Sequence, residues 1–556
     1  MRLPLLALVL LAACSPAATP SADLVVHNAT IYTGDSTAAP AQALAIKDGR
    51  IVFVGSNADA EGWIADAAEV IDLQGRYVFP GFVDAHAHFT GIGQRELTLN
   101  LEGTDTKDAF LARVDSAVQA TPAGEWVTGR GWIETFWSPP VFPTRHDLDR
   151  IAPNHPVLLT RADGHASIAN SAALRIAGIT GATAAPPGGA INLDVDGAPT
   201  GMLIDAAQRL VREHVPETTE AQLERALELA SERSVRLGWT QVQDAHGSWP
   251  EIDRMRRLFA ADRIQVRIYK TISGPGESAD SLVALGPQAP EFDGRFVLRG
   301  IKLVMDGALG SRGAALLAPY SDDPQTMGLI TTDTVAVRDL LQRALRAGIQ
   351  IETHAIGDRA NRIVLDMFAE AFAAVPPAER RVADPRWRIE HSQIVHPDEV
   401  PRFKELDLVA SMQTSHALDD QHSAPATIGV ERTAGAYAWR TLLEMGVPVA
   451  GGSDAPVERG EPMIEFYAAV ARKDLRGRDG PGWHPEEAVS RHQALQMFTW
   501  YPAYAAFEED QAGSIAVGKR ADLTILDRDI MTIPVAEILE TRNVMTVVGG
   551  RVVYRQ

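Results

Sequence analysis

One cysteine in 556 residues, Cys14, excludes an intramolecular disulfide framework and any cysteine-rich zinc or iron–sulfur site. A basic excess is missing too. The chain carries 52 Lys and Arg against 72 Asp and Glu, a net charge of −20, so it has no surplus of cations to displace counterions from a phosphate backbone. No nucleic-acid partner is expected. The apolar run at the N-terminus falls short of the roughly 20 residues a membrane-spanning helix needs. With 34 Pro and 45 Gly the chain is not a low-complexity sequence. What is present is a composition 46% hydrophobic and 22% charged, enough to bury a large core. Any metal must be held by nitrogen and oxygen ligands.

The first 14 residues, MRLPLLALVLLAAC, have the form of an export signal: Arg2 as positive flank, Leu3 to Leu11 as apolar run, then small residues. Leu11-Ala12-Ala13-Cys14 resembles a bacterial lipobox, with cleavage before Cys14 and lipidation of its sulfur. Several acyl chains on that residue give stable anchoring where a single chain does not. Residues 1–14 are thus read as a lipoprotein signal and 15–23 as a flexible tether. Ser15 after the cysteine points to an exported bacterial lipoprotein on the periplasmic face of the outer membrane.

From Leu24 the chain reads as short strands and turns, with an Asp48-Gly49 hairpin signal, and the last 49 residues have the same texture. Residues 24–78 and 508–556 are assigned to one small β-sandwich built from both ends. The middle, 79–507, alternates apolar strands with helical stretches such as EAQLERALELASERSVRLG, the pattern of parallel βα units. Eight strands are expected, at 79–88, 240–246, 265–272, 300–307, 349–358, 386–393, 407–413 and 448–454. The fold class is α/β, a (β/α)₈ TIM-like barrel. The interval 89–239 is too long for one loop and is expected to hold an inserted subdomain after the first strand.

In such a barrel the working side chains sit at the C-terminal ends of the strands. Those ends offer His86 and His88, Lys302, His354, His391 and Asp454. Residues i and i+2 of a strand share a face, so both imidazoles of His86-Ala87-His88 can reach one ion. Fifteen histidines give about 0.4 such pairs by chance, so the spacing alone is weak and its position at a strand end is what counts. A buried Lys302 must be paired, neutralised or modified. Asp306 is one possible partner.

The strings PGFVDAHAH, GIKLVMDGALGSRGA, ETHAIGD, IEHSQ, GGSDAPV and GSIAVGKRADLTILD together resemble the amidohydrolase superfamily, in its family 3 branch of N-substituted formamide deformylase-like metal-dependent hydrolases. The resemblance implies one divalent ion on His86, His88 and Asp454, a second on His354 and His391, and a carbamylated Lys302 bridging them. One or two ions are expected, zinc by preference. DGHASIANSAAL, 163–174, matches a family segment and puts His165 and Asn170 near the substrate. Gly313 stands where relatives often carry Thr, a change expected to alter the loop after the fourth strand.

The reaction so implied is hydrolysis of a non-peptide C–N bond (amide, formamide or cyclic amide) in a small molecule by metal-activated hydroxide. Asp454 acts as general base and then acid, and His165 hydrogen-bonds the carbonyl oxygen. His246 is a weaker candidate for the same task. Asp306 and Arg312 either bind a charged substrate or anchor their loop. Trp132, Phe136 and Trp137 either wall the pocket or form core. The competing readings are a mononuclear deaminase or ester hydrolase on the same scaffold, and a surface lipoprotein that binds without catalysis.

Overall fold

The computed structural model describes residues 21–134, 137–162, 164, 166–186, 189–475, 480 and 482–556. At its centre eight parallel strands pair in sequence: β1 (Phe82–Ala87), β2 (Trp239–Asp244), β3 (Arg267–Ser273), β4 (Phe296–Val304), β5 (Gln350–Ala355), β6 (Arg388–His391), β7 (Val409–Gln413) and β8 (Val449–Gly452). Buried on both faces, they are near-continuous runs of buried residues, and this is why they stand out in the sequence. β4 starts at Phe296, four residues before the expected strand.

The barrel is nearly closed by polar contacts between β8 and β1. The Asp454 N–H donates to the His86 carbonyl at 2.7 Å, and the His88 N–H to the Ala455 carbonyl at 2.8 Å. Helices fall where periodicity and caps dictate. Glu220–Leu237 opens on a Thr219–Gln222 capping box and stops at Gly238, whose φ is 103°. Thr334–Ala347 opens on Asp333 and stops at Gly348.

Within the long interval after β1, a six-stranded sheet occupies Leu99–Asn100 to Pro199–Asp205 and has its own aromatic core. The two ends of the interval are helices, Phe89–Leu97 and Glu220–Leu237, packed on one another. Trp132 and Trp137 lie in the core of this sheet, so the reading of these two as pocket walls is corrected: apolar neighbours cover both faces. Phe136 lies outside the described residues.

Two further sheets face each other across Leu24, Ile46, Val78, Leu523 and Val547. The four-stranded one is formed by Ala22–His27, Ala43–Lys47, Arg50–Gly55 and Ala67–Asp72, the five-stranded one by Thr30–Ile31, Tyr77–Pro80, Leu523–Leu526, Asn543–Val548 and Arg551–Arg555. Asp48 and Gly49 make the hairpin turn with φ of 50° and 72°. Ala22 and Asp23, expected in the tether, belong to the first strand; Ala22 is buried and Asp23 pairs with Lys47 at 2.9 Å. The signal segment 1–14, Cys14 included, lies outside the described residues.

Candidate metal centre

The six candidate ligands arrive on five strands. His86 is in β1 and His88 follows it; Lys302 is in β4, His354 in β5, and His391 ends β6, while Asp454 is two residues beyond β8. The fold brings them to one end of the barrel. Asp454 Oδ1 is 3.1 Å from His88 Nε2 and 3.7 Å from His86 Nε2. Lys302 Nζ is 3.2 Å from His86 Nε2. The His391 ring centroid is 4.9 Å from that of His86 and 4.5 Å from that of His354. Donor atoms of His86, His391 and Asp454 all fall within 4.8 Å of one another.

Three of the imidazoles are held by the nitrogen that faces away from this cluster. His88 Nδ1 donates to the Ala245 carbonyl at 2.8 Å, His391 Nδ1 to Gln413 Oε1 at 2.7 Å, and His86 Nδ1 to Glu390 Oε2. Each leaves Nε2 toward the cluster, the arrangement in which an imidazole offers a lone pair to a metal. His391 and Asp454 adopt φ of 72° and 57°, a left-handed backbone that costs about 1–3 kcal/mol per non-glycine residue and gathers at functional sites.

Burial, reinforced by the Lys302 charge, pushes the His86 imidazole well below its usual range; burial and His354 do the same to His391. Both shifts favour the neutral ring. Burial likewise lowers the Lys302 amine against the opposing pull of Glu390 and Asp454. Among the described residues it has no ion-pair partner, so the Asp306 bridge is not formed. Burial works to raise the Asp454 carboxyl, but His88 and the charges of the surrounding histidines hold it well below the carboxylate range. The Asp454 contact in turn raises His88 against its own desolvation.

These residues fit a divalent ion. They supply imidazole nitrogens and a carboxylate, and among the described residues the buried Asp454 Oδ1 meets only histidine nitrogens, His88 Nε2 at 3.1 Å and His86 Nε2 at 3.7 Å.

Other expected site residues are engaged elsewhere. Asn170 is corrected from a substrate contact to a structural one: its Oδ1 accepts from Val157 and Ala173, and its Nδ2 donates to Ala152 and His155. No hydrogen-bonding capacity is left for a substrate. Asp306 accepts the backbone N–H groups of Ala315, Ile356 and Gly357 at 2.9–3.0 Å, tying the loops after β4 and β5. Arg312 forms a two-pronged pair with Asp322 at 2.8 and 3.2 Å, so it anchors its loop. In that loop Gly313 lies against Gly307, and a Cβ there would come within 3.2 Å of the Gly307 Cα. His246 is exposed at the mouth with φ of 86°. His165 lies outside the described residues.

Sequence reasoning missed Glu390, Gln413 and His416. The His416 ring stands 5.9 Å from that of His391, and its Nε2 is 3.7 Å from both Asp454 Oδ2 and Glu458 Oε1 without hydrogen-bonding either. It follows β7 in a short helix, where no spacing motif marks it. Glu390 left only a weak signal: a carboxylate in a short buried strand, Arg388–His391, whose one apolar side chain is Ile389.

Residues 69–554 match the model of the amidohydrolase family. Protein LONG AFTER FAR-RED 3 of Arabidopsis thaliana is 35% identical over 97% of this chain and 93% of its own length. N-substituted formamide deformylase of Arthrobacter pascens is 32% identical over 96% of this chain and 98% of its own length. Among solved structures, an uncharacterized metal-dependent hydrolase from Pyrococcus furiosus superposes with a TM-score of 0.71 at 28% identity, covering 92% of this chain and all of that one.

Proposed function

The chain belongs to the amidohydrolase family and is a hydrolase, and from that premise we propose that it cleaves a non-peptide C–N bond, in an amide, a formamide or a cyclic amide. The observation that carries this reading is the convergence of donor atoms of His86, His391 and Asp454, all buried, within 4.8 Å of one another at one end of the barrel. The likeness to a formamide deformylase along nearly its whole length supports the choice of bond.

In this reading His86, His88 and Asp454 would hold one divalent ion and His354 and His391 a second, and Lys302, as a carbamate, would add an oxygen ligand. Such an ion, zinc in our reading, would supply Lewis acidity, making water more acidic and a carbonyl carbon more open to attack. The protein's own groups do the rest. The neutral rings of His86 and His391 present lone pairs without first losing a proton. Burial favours the unprotonated Lys302 amine, the form that adds carbon dioxide: its nitrogen forms a bond to carbon and releases one proton. Asp454, ionised and buried, accepts a proton from the attacking water and returns it to the leaving nitrogen. His165 donates to the substrate carbonyl oxygen.

The test is metal analysis of purified protein together with a panel of N-formyl and N-acyl compounds. One to two equivalents of metal and amine release from that panel are expected. Ammonia as the sole product would mean a deaminase, and no metal after supplementation would overturn the reading. Asp454→Ala is expected to abolish turnover without unfolding the protein. We also propose export and lipid anchoring through Cys14. Cys14→Ser is expected to release the protein from membranes, and continued membrane retention would contradict it.

A further inference from the structure

Two glutamates are buried in the barrel below the metal centre, Glu352 in β5 and Glu390 in β6. Burial pushes both carboxyls up, Glu352 to about 7, against the opposing charges of Lys302 and Arg388. Their partners differ. Glu352 faces the Arg388 guanidinium at 3.5 Å. Glu390 Oε2 sits on Nδ1 of His86, with both side chains exposed by 1% or less.

We propose that Glu390 is the positioning residue for His86: it fixes the tautomer and angle of that ring so that Nε2 faces the metal centre. A carboxylate has only lone pairs to offer, so Nδ1 must carry the proton and Nε2 the lone pair. The other tautomer would set two lone pairs against each other. The 3.2 Å approach of Lys302 Nζ to Nε2, a donor meeting an acceptor, agrees with this assignment.

His86 is singled out among its neighbours. His88 and His391 donate to neutral acceptors, a backbone carbonyl and an amide oxygen. Of the three Nδ1 atoms, only that of His86 faces a carboxyl group, and a hydrogen bond to that group in its ionised form is roughly twice as strong as a neutral one. Such a partner also raises the basicity of the ligating nitrogen.

The backbone makes the arrangement possible. Successive side chains of a strand point to opposite faces, yet Glu390 and His391 both reach His86. At His391 the chain turns left-handed, φ 72°, and this breaks the alternation. One strand end thus supplies a ligand and the orienting group for a ligand on another strand.

The inference rests on the metal reading, and the test separates the two. Zinc affinity of the full chain is measured by competition with a chelator, beside the melting temperature of the metal-free protein. Glu390→Leu removes the acceptor, Glu390→Gln keeps an acceptor but cannot ionise, and Glu352→Gln makes the same change at a buried glutamate that faces Arg388 instead of a histidine. Loss of a group behind a metal-ligating histidine weakens affinity by about 10- to 100-fold. The expected order is therefore about 100-fold for Glu390→Leu, about 10-fold for Glu390→Gln, and within about threefold of wild type for Glu352→Gln. Affinity within about threefold of wild type in Glu390→Leu, or equal losses in Glu352→Gln and Glu390→Gln, would overturn the proposal. If Glu390→Leu does not fold, the comparison of the two glutamine variants decides. A wild-type chain that binds no zinc would instead overturn the metal reading, and this inference with it.

Discussion

Ser453 donates to the Asp84 carboxylate twice, from its backbone N–H at 2.8 Å and from its hydroxyl at 2.5 Å. The two residues lie at the junction of β8 and β1, and Asp454, the next residue, is placed by what Ser453 does. Asp84 is buried, and desolvation lifts its carboxyl to about 7 in spite of these hydrogen bonds.

Asp84→Ala leaves the Ser453 N–H buried without an acceptor. The expected loss is about 3 kcal/mol of unfolding free energy, read from urea melts. Bound metal is expected to fall with it, because the backbone that carries Asp454 loosens. Unchanged stability with unchanged metal would show that the junction is held by its backbone hydrogen bonds alone.

Lys302 is enclosed among histidines and has no ion-pair partner among the described residues. Lys302→Ala is expected to lose most of the bound metal, and short carboxylic acids are expected to restore part of it by standing in for the oxygen ligand of the proposed carbamate. Full metal content in the variant would show that no ligand comes from this side chain.

Barrel strands such as Phe296–Val304 and Val449–Gly452 are readable because burial on both faces keeps them largely apolar, whereas Trp239–Asp244 and Arg388–His391 are as buried but carry several polar side chains. The metal centre is readable for a related reason: His354, His391 and Lys302 interrupt those runs near their ends. What the sequence does not display is pairing between strands. That Glu390 meets His86, 304 positions away, depends on how strands 1 and 6 face each other across the barrel. Asn170 misleads in the opposite direction. It lies in a segment similar to the family's, but its amide is fully used as a helix cap and a bridge to Ala152 and His155. Trp132 and Trp137 likewise stay in the core of their own sheet, as large aromatic side chains usually do.

The helix Phe89–Leu97, directly after the His86-Ala87-His88 motif, packs on Glu220–Leu237 with Gly93 at the crossing. A Cβ on Gly93 would lie 1.6 Å from the Ala226 carbonyl oxygen, and that atom is backbone and cannot rotate away. Gly93→Leu is expected to force the helices apart and cost at least about 3 kcal/mol, read as a lower urea midpoint. Wild-type stability would mean that the helices adjust their crossing at little cost.

The sandwich is tied to the barrel by Asp522, whose carboxylate takes Arg267 Nε at 2.8 Å, Arg267 Nη2 at 3.0 Å and the Gly549 N–H at 2.7 Å. Burial acts to raise this carboxyl, but the charges of Arg267 and Arg520 prevail and hold it below the usual value. A carboxyl depressed in the folded state binds its proton more readily when unfolded. Its contribution is therefore complete above the unfolded value of about 3.9 and is lost as pH falls through the lower folded value. Asp522→Asn leaves the buried Arg267 without its anion, which typically costs about 3–5 kcal/mol. Urea melts near neutral pH are expected to show that loss. As the medium is acidified below pH ~4, the gap between wild type and variant is expected to narrow, because the wild type then loses the same charge. A gap that stays constant through the acid range would mean that Asp522 acts through its hydrogen bonds and not through its charge.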